Sequence, residues 1–327
     1  MVSRLNIKPV VIIIALTFAL FISNYSFSGQ SELFSQSAAV VLVTLVFWSS
    51  GCVPPFLAGL IFFALVTTLG LISPSIVFAG FGSTAVWLII SGFIIGAAIS
   101  KSGLGQKLAT LISPYLTVSY PRLIAGLVLS AMLLGFIMPS SVGRAVVLIP
   151  IGMALADTVG LKKGSNGRIG IATALAISCN MPSFAILPAN IPNMILAGSS
   201  ETLFNLTFGY TEYLLLHFPV LGILKSLVVI WLVLRIFPDE IAVPAENEET
   251  NSESFASHQK DQKKVGILLA FTLLFWITDT IHGINPAWVG LVTAIILLLP
   301  KWGVVEPKAV DSSVDCAAVI FVAGALG

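Results

Sequence analysis

Apolar residues run along this chain in blocks of about twenty, separated by short polar breaks. A helix needs about 20 apolar residues to cross the hydrocarbon of a bilayer. The pattern predicts spans at 8–27, 37–52, 54–72, 84–101, 170–197, 213–236, 264–282 and 286–300, and another starting at 314. The first run is about twenty residues long and no small-residue cleavage site follows it, so it reads as an uncleaved span rather than a signal peptide. The predicted fold is all-α and polytopic.

Two apolar segments are interrupted. Residues 121–158 break at GFIMPSSVGRAVVLIP, which leaves two halves too short to cross comfortably. The expectation is a re-entrant helical hairpin with its tip near Pro139-Ser140-Ser141. Such a tip persists at membrane depth only where it is buried in protein or lines a cavity. Segment 170–197 holds Pro182, Pro188 and Pro192. Each proline removes a helical hydrogen bond and crowds the preceding turn, so an unwound loop is expected at 188–193.

Composition supports a membrane protein. Of 327 residues, 57% are hydrophobic and 9% charged, and mean hydropathy is +1.02. Soluble domains carry about 25% charged residues. The net charge of +1 and the lack of a basic patch give no sign of nucleic-acid binding. Cys52, Cys179 and Cys316 form no CxxC pair or disulfide framework and read as small buried hydrophobes. HExxH, nucleophile-elbow, Walker-loop and metal-cluster patterns are absent from the sequence, so no enzyme class is favoured.

Lys and Arg set the expected orientation. Arg4 and Lys8 precede the first span, Lys101 and Lys107 follow the fourth, and Lys162, Lys163 and Arg168 follow the hairpin. Loops 28–36 and 198–212 contain no Lys or Arg. The N-terminus, the open end of the hairpin and the linker at 237–263 are therefore expected in the cytoplasm, in an inner or plasma membrane. The linker carries seven of the fifteen acidic residues and reads as polar and mobile.

An internal repeat is also visible. LVFWSSGCVPPFLAGLIFFAL at 45–65 matches LLFWITDTIHGINPAWVGLVTAI at 273–295, aligning Phe47-Trp48 with Phe275-Trp276 and Gly59-Leu60 with Gly290-Leu291. VWLIISGFIIG at 86–96 matches VIFVAGALG at 319–327, with Gly92 on Gly324. Five crossings in the first copy would start the second copy on the opposite face, which is an inverted repeat. The expected organisation is an N-terminal span and outer loop (1–36), a first repeat (37–236), the linker (237–263) and the start of a second repeat (264–327). A second copy equal to the first would need about 140 further residues, so the second repeat is expected to be incomplete in this chain.

The stretches TAVWLIISGFIIGAAISKSGLGQKLA, PSSVGRAVVLIPIGMALAD and LPANIPNMILAG resemble the divalent-anion:sodium symporters, which carry dicarboxylates, citrate or sulfate. The resemblance covers most of 37–327. The family's Ser-Asn-Thr tip signature stands here as Ser140-Ser141-Val142, and its Gly-[Ser/Thr]-Pro-Pro-Asn loop as Ala189-Asn190-Ile191-Pro192-Asn193. The resemblance implies secondary transport of a small divalent anion, coupled to sodium, by a substrate-binding layer sliding on a scaffold that dimerises. It places the anion at Ser140, Ser141, Asn190, Pro192 and Asn193, and a sodium ion at Ser140, Ser141, the Ala189 carbonyl and Asn190. No other cofactor is implied; the partners are the anion, sodium, the lipid bilayer and a second copy. Carriers of arsenite, sodium/proton exchangers and a non-transporting fragment remain alternatives.

Arg144 shares a helix face with the tip serines, four residues after Ser140. An arginine at mid-membrane costs about 2.5 to 3.5 kcal/mol, so it should face a cavity or a partner. It could meet the substrate directly, stand where sodium helps in relatives, pair structurally, or snorkel. Lys225 reads as a snorkelling residue, and His217 and Asp279 as interfacial.

Overall fold

A computed structural model of the chain describes residues 7–25, 29–138, 140–241 and 259–326. Pro139 and most of the linker lie outside the described residues. The described residues form helices and irregular turns, with no strand among them. Counting helices longer than seven residues, the order is α1 Ile7–Ser23, α2 Glu32–Ser50, α3 Pro55–Thr68, α4 Thr84–Ser102, α5 Leu104–Leu116, α6 Tyr120–Ile137, α7 Ser141–Thr158, α8 Asn166–Ser178 and α9 Ile191–Phe204, then α10 Tyr210–Ile236, α11 Gln259–Ile277, α12 Pro286–Leu298 and α13 Cys316–Leu326. Five helices among the described residues are long and apolar enough to cross a membrane, or six if the bent pair Pro307–Ser313 and Cys316–Leu326 is one span. The protein is an integral, polytopic all-α membrane protein.

Local chemistry sets the ends. Ser83 caps α4 by accepting the Ala85 amide, Ser119 caps α6, Ser165 caps α8 and Asn285 caps α12. Gly103, with φ +68, turns the chain between α4 and α5. Helix α10 carries a π turn at Phe218–Leu224 beside Pro219, where a missing N–H makes regular pairing impossible.

The hairpin arms α6 and α7 flank the tip. Each has 18 residues and passes the length and composition test for a span. Helix α6 ends at Ile137 and α7 starts at Ser141, with Arg144 inside α7. A re-entrant pair and a crossing pair both return the chain to the face it left.

Two cores organise the bundle. One joins the hairpin to α8 and α10 through Leu123, Ile124, Leu148, Ile171, Leu175 and Val233. The other joins α4, the loop after α8, α10, α11 and α13 through Ile89, Ile186, Leu187, Tyr210, Trp276 and Val322. The segments matched in sequence make matching contacts. Trp48 Nε1 donates to the Pro55 carbonyl at 2.9 Å, and Trp276 Nε1 donates to the Pro286 carbonyl at 3.1 Å. Helix α3 crosses α13 where a Cβ on Gly324 would stand 3.2 Å from Gly59 Cα. Helix α12 crosses α4 where a Cβ on Gly290 would stand 3.3 Å from Ser91 Cβ.

Candidate substrate site

Two helices begin side by side at the interrupted segments. At the hairpin tip, Ser140 is extended (φ −135°, ψ 116°) and its Oγ accepts the Gly143 amide at 3.0 Å, so α7 starts at Ser141. In the second segment the prolines prevent a continuous helix. The chain leaves α8 at Ser178, passes through short 3-10 turns at Pro182–Ala185 and Leu187–Ala189, becomes extended at Asn190, and restarts as α9. Pro192 sits in the first turn of α9, where its missing N–H removes no helical bond.

Breaking a helix frees backbone carbonyls that still need donors. Arg144 supplies them. Its side chain is fully buried. Nε and Nη2 donate to the Cys179 carbonyl at 3.1 and 2.8 Å, and Nη2 also donates to Ser183 Oγ at 2.7 Å. Nη1 donates to the Met138 carbonyl, and both Nη atoms reach the Ala189 carbonyl at 3.4 and 3.5 Å. A guanidinium offers five N–H donors in a fixed fork, which suits several carbonyls at once better than an ammonium would.

The surrounding amides complete the knot. Ser183 Oγ donates to the Asn180 carbonyl at 2.7 Å and accepts from Asn190 Nδ2 at 2.7 Å. Asn193 Nδ2 donates to the carbonyls of Ile186 at 2.7 Å and Ser183 at 3.2 Å. Arg144, Ala189 and Asn193 thus sit behind the surface, holding backbone together. Ser183 and the Met138 and Cys179 carbonyls were not anticipated. The available signal was a lone membrane arginine beside three helix-breaking prolines.

In front of the knot lies a cavity of about 390 Å³. Ser140, Ser141 and Val142 line it from the start of α7, and Asn190, Ile191 and Pro192 from the start of α9. Ile89 and Phe93 of α4, together with Asn180 and Asp315, form other walls. A neighbouring cavity of about 520 Å³ shares Ser140 and Phe93 and follows Gly92, Gly96, Ser100 and Lys101 along α4. Of the expected site residues, Ser140, Ser141, Asn190 and Pro192 are brought together on the first cavity. Two helix N-termini on one cavity direct unpaired amides and positive dipole ends into it, an arrangement suited to a carboxylate.

Of the four groups expected to hold sodium, the Ala189 carbonyl is already engaged by Arg144. Among the described residues no three His, Cys, Asp or Glu side chains are grouped to hold a metal. The other flagged residues lie elsewhere. Lys225 Nζ stands 5.4 Å over the Phe184 ring, and His217 stacks on Tyr213 at 4.2 Å. Asp279 lies just after the end of α11, is 5% exposed and accepts the Tyr210 amide at the start of α10.

Comparison with known proteins agrees with this architecture. A "Membrane protein" of Cupriavidus necator is 27% identical over 234 residues, covering 70% of this chain and 45% of that protein. An L-tartrate/succinate antiporter of Escherichia coli strain UTI89 is 27% identical, covering 68% of this chain and 47% of the relative. The antiporter of that name in strain K12 is 26% identical with the same coverage. The chain therefore spans about half the length of these relatives. The profile of the citrate transporter family matches residues 41–327, and on that match the protein belongs to the citrate transporter family.

Proposed function

We propose that the protein carries small carboxylate anions across the membrane, with Arg144 filling the role that a sodium ion would otherwise have at this half of the site. The observation that carries the reading is the convergence of the α7 and α9 starts on one cavity. The Ser141 and Val142 amides have no helical acceptor, because the tip loop precedes them. Arg144 lies directly behind these starts and its charge meets no carboxylate among the described residues. Its carbonyl partners satisfy its hydrogen bonds without cancelling its charge, which therefore stands behind the two helix starts. A fixed cation bonded to the Ala189 carbonyl leaves little for sodium to do there, which favours anion exchange over sodium symport. The Escherichia coli relatives are named antiporters of two dicarboxylates, and their name points the same way.

The matching tryptophan bonds and glycine crossings support an inverted repeat, with each copy's second helix packed on the other copy's third. The lysine and arginine distribution supports a cytoplasmic N-terminus and linker.

The test is uptake of labelled succinate into proteoliposomes loaded with unlabelled tartrate. Saturable uptake driven by the internal anion, and reduced in Ser141→Ala, is expected. Uptake no greater than in protein-free vesicles would contradict the reading.

A further inference from the structure

The starts of α4, α6, α7, α8 and α12 are each capped by a side chain. The start of α9 is not. Asn190 occupies its cap position with extended backbone (φ −147°, ψ 144°), yet its side chain makes no cap bond. An asparagine in that place ordinarily turns its Oδ1 back to accept an amide of the first turn. Pro192 has no N–H to give, so the amide left for it is that of Asn193.

Ser183 accounts for the missing cap. It is fully buried, and its hydroxyl donates to the Asn180 carbonyl at 2.7 Å. A hydroxyl has one proton and two lone pairs. Arg144 Nη2 and Asn190 Nδ2 donate to those lone pairs, each at 2.7 Å. Asn190 Nδ2 also donates to the Asn180 carbonyl at 3.3 Å. The Asn190 amide cannot be turned over, because Oδ1 would then face the Ser183 and Asn180 oxygens, whose one proton already lies between them. Oδ1 therefore points away from this cluster and has no partner among the described residues. Asn190 is 5% exposed and lines the cavity. A buried side chain thus leaves its acceptor open at the cavity wall, beside an amide it could have capped.

We propose that Ser183 is a positioning residue for the carrier site: it holds Asn190 off its cap, so that the first-turn amides of α9 stay free for a ligand carboxylate. This rests on the carrier reading above. Ser183 lies behind the cavity wall and acts through Asn190. Without its hydroxyl, Asn190 turns to cap α9, and the ligand loses an amide donor.

The experiment is isothermal titration of succinate into the purified chain, with the thermal unfolding midpoint measured for each variant. Ser183→Ala should bind succinate about tenfold more weakly, as loss of one charge-assisted hydrogen bond requires. A second pair leaves Ser183 in place and keeps the test sound if Ser183→Ala does not fold. Asn190→Ser and Asn190→Ala both lose the Nδ2 anchor, but only serine can cap α9. Asn190→Ser should therefore unfold at a higher temperature than Asn190→Ala and yet bind succinate about tenfold more weakly. A residue that only holds the fold together would move stability and affinity in the same direction. Asn190→Ser binding succinate as tightly as Asn190→Ala, or more tightly, overturns the proposal. So does a folded Ser183→Ala with wild-type affinity. Both results leave the carrier reading standing, whereas a wild type that binds no succinate overturns both.

Discussion

At the scale of residues, the buried Arg144 fork donates to the Met138, Cys179 and Ala189 carbonyls and to Ser183 Oγ, tying the hairpin tip to the broken helix. Its helical register with Ser140 and Ser141 was legible, and so was its lack of an acidic partner. The direction of its side chain was not, because its acceptors are carbonyls freed 35 and 45 residues further along by Pro182, Pro188 and Pro192. Pairing with backbone carbonyls is a recognised resting place for a charge inside a membrane protein. Removing the fork leaves buried carbonyls unsatisfied, at about 1–3 kcal/mol each. Arg144→Gln is therefore expected to lower the thermal unfolding midpoint in detergent by several degrees even without ligand. Arg144→Lys keeps the charge with fewer and differently placed donors, and should fall between. A Gln variant as stable as the wild type would mean that the knot is not holding the hairpin to the broken helix.

Among the elements, the two breaks were legible because proline and a short polar tip interrupt otherwise apolar runs. The arms were expected to be too short to cross comfortably, but an 18-residue helix reaches about 27 Å, close to the hydrocarbon thickness. A further tie lies at the base of the hairpin. Tyr120 Oη donates to the Phe237 carbonyl at 2.9 Å, and Asp239 Oδ2 accepts the Gly167 amide at 2.7 Å at the start of α8. That amide holds the Asp239 carboxylate below its ordinary value; partial burial opposes the effect, and the Glu240 amide and Ser165 reinforce it. A carboxylate depressed in the folded state stabilises it above the unfolded value of 3.8, and that contribution is lost as pH falls through the lower folded value. Asp239→Ala is expected to destabilise the protein by about 1 kcal/mol near neutral pH, as loss of a helix cap does. The gap from the wild type should narrow in acid below the unfolded value. Denaturation curves across pH check this, and a gap constant with pH would remove Asp239 from that role.

For the whole molecule, membrane insertion, helix order and the repeated Phe-Trp and Gly-Leu pairs could all be read from the chain, because hydropathy and small crossing residues leave strong marks. How the site handles charge could not, because it depends on three-dimensional accounting of carbonyls, amides and one arginine. The account reduces to a carboxylate at the α7 and α9 starts with Arg144, rather than sodium, as the cation behind them. The most direct test is titration of succinate into the purified chain while sodium is replaced stepwise by choline at constant ionic strength. The account predicts the same dissociation constant throughout. An affinity that rises as sodium is added would contradict it.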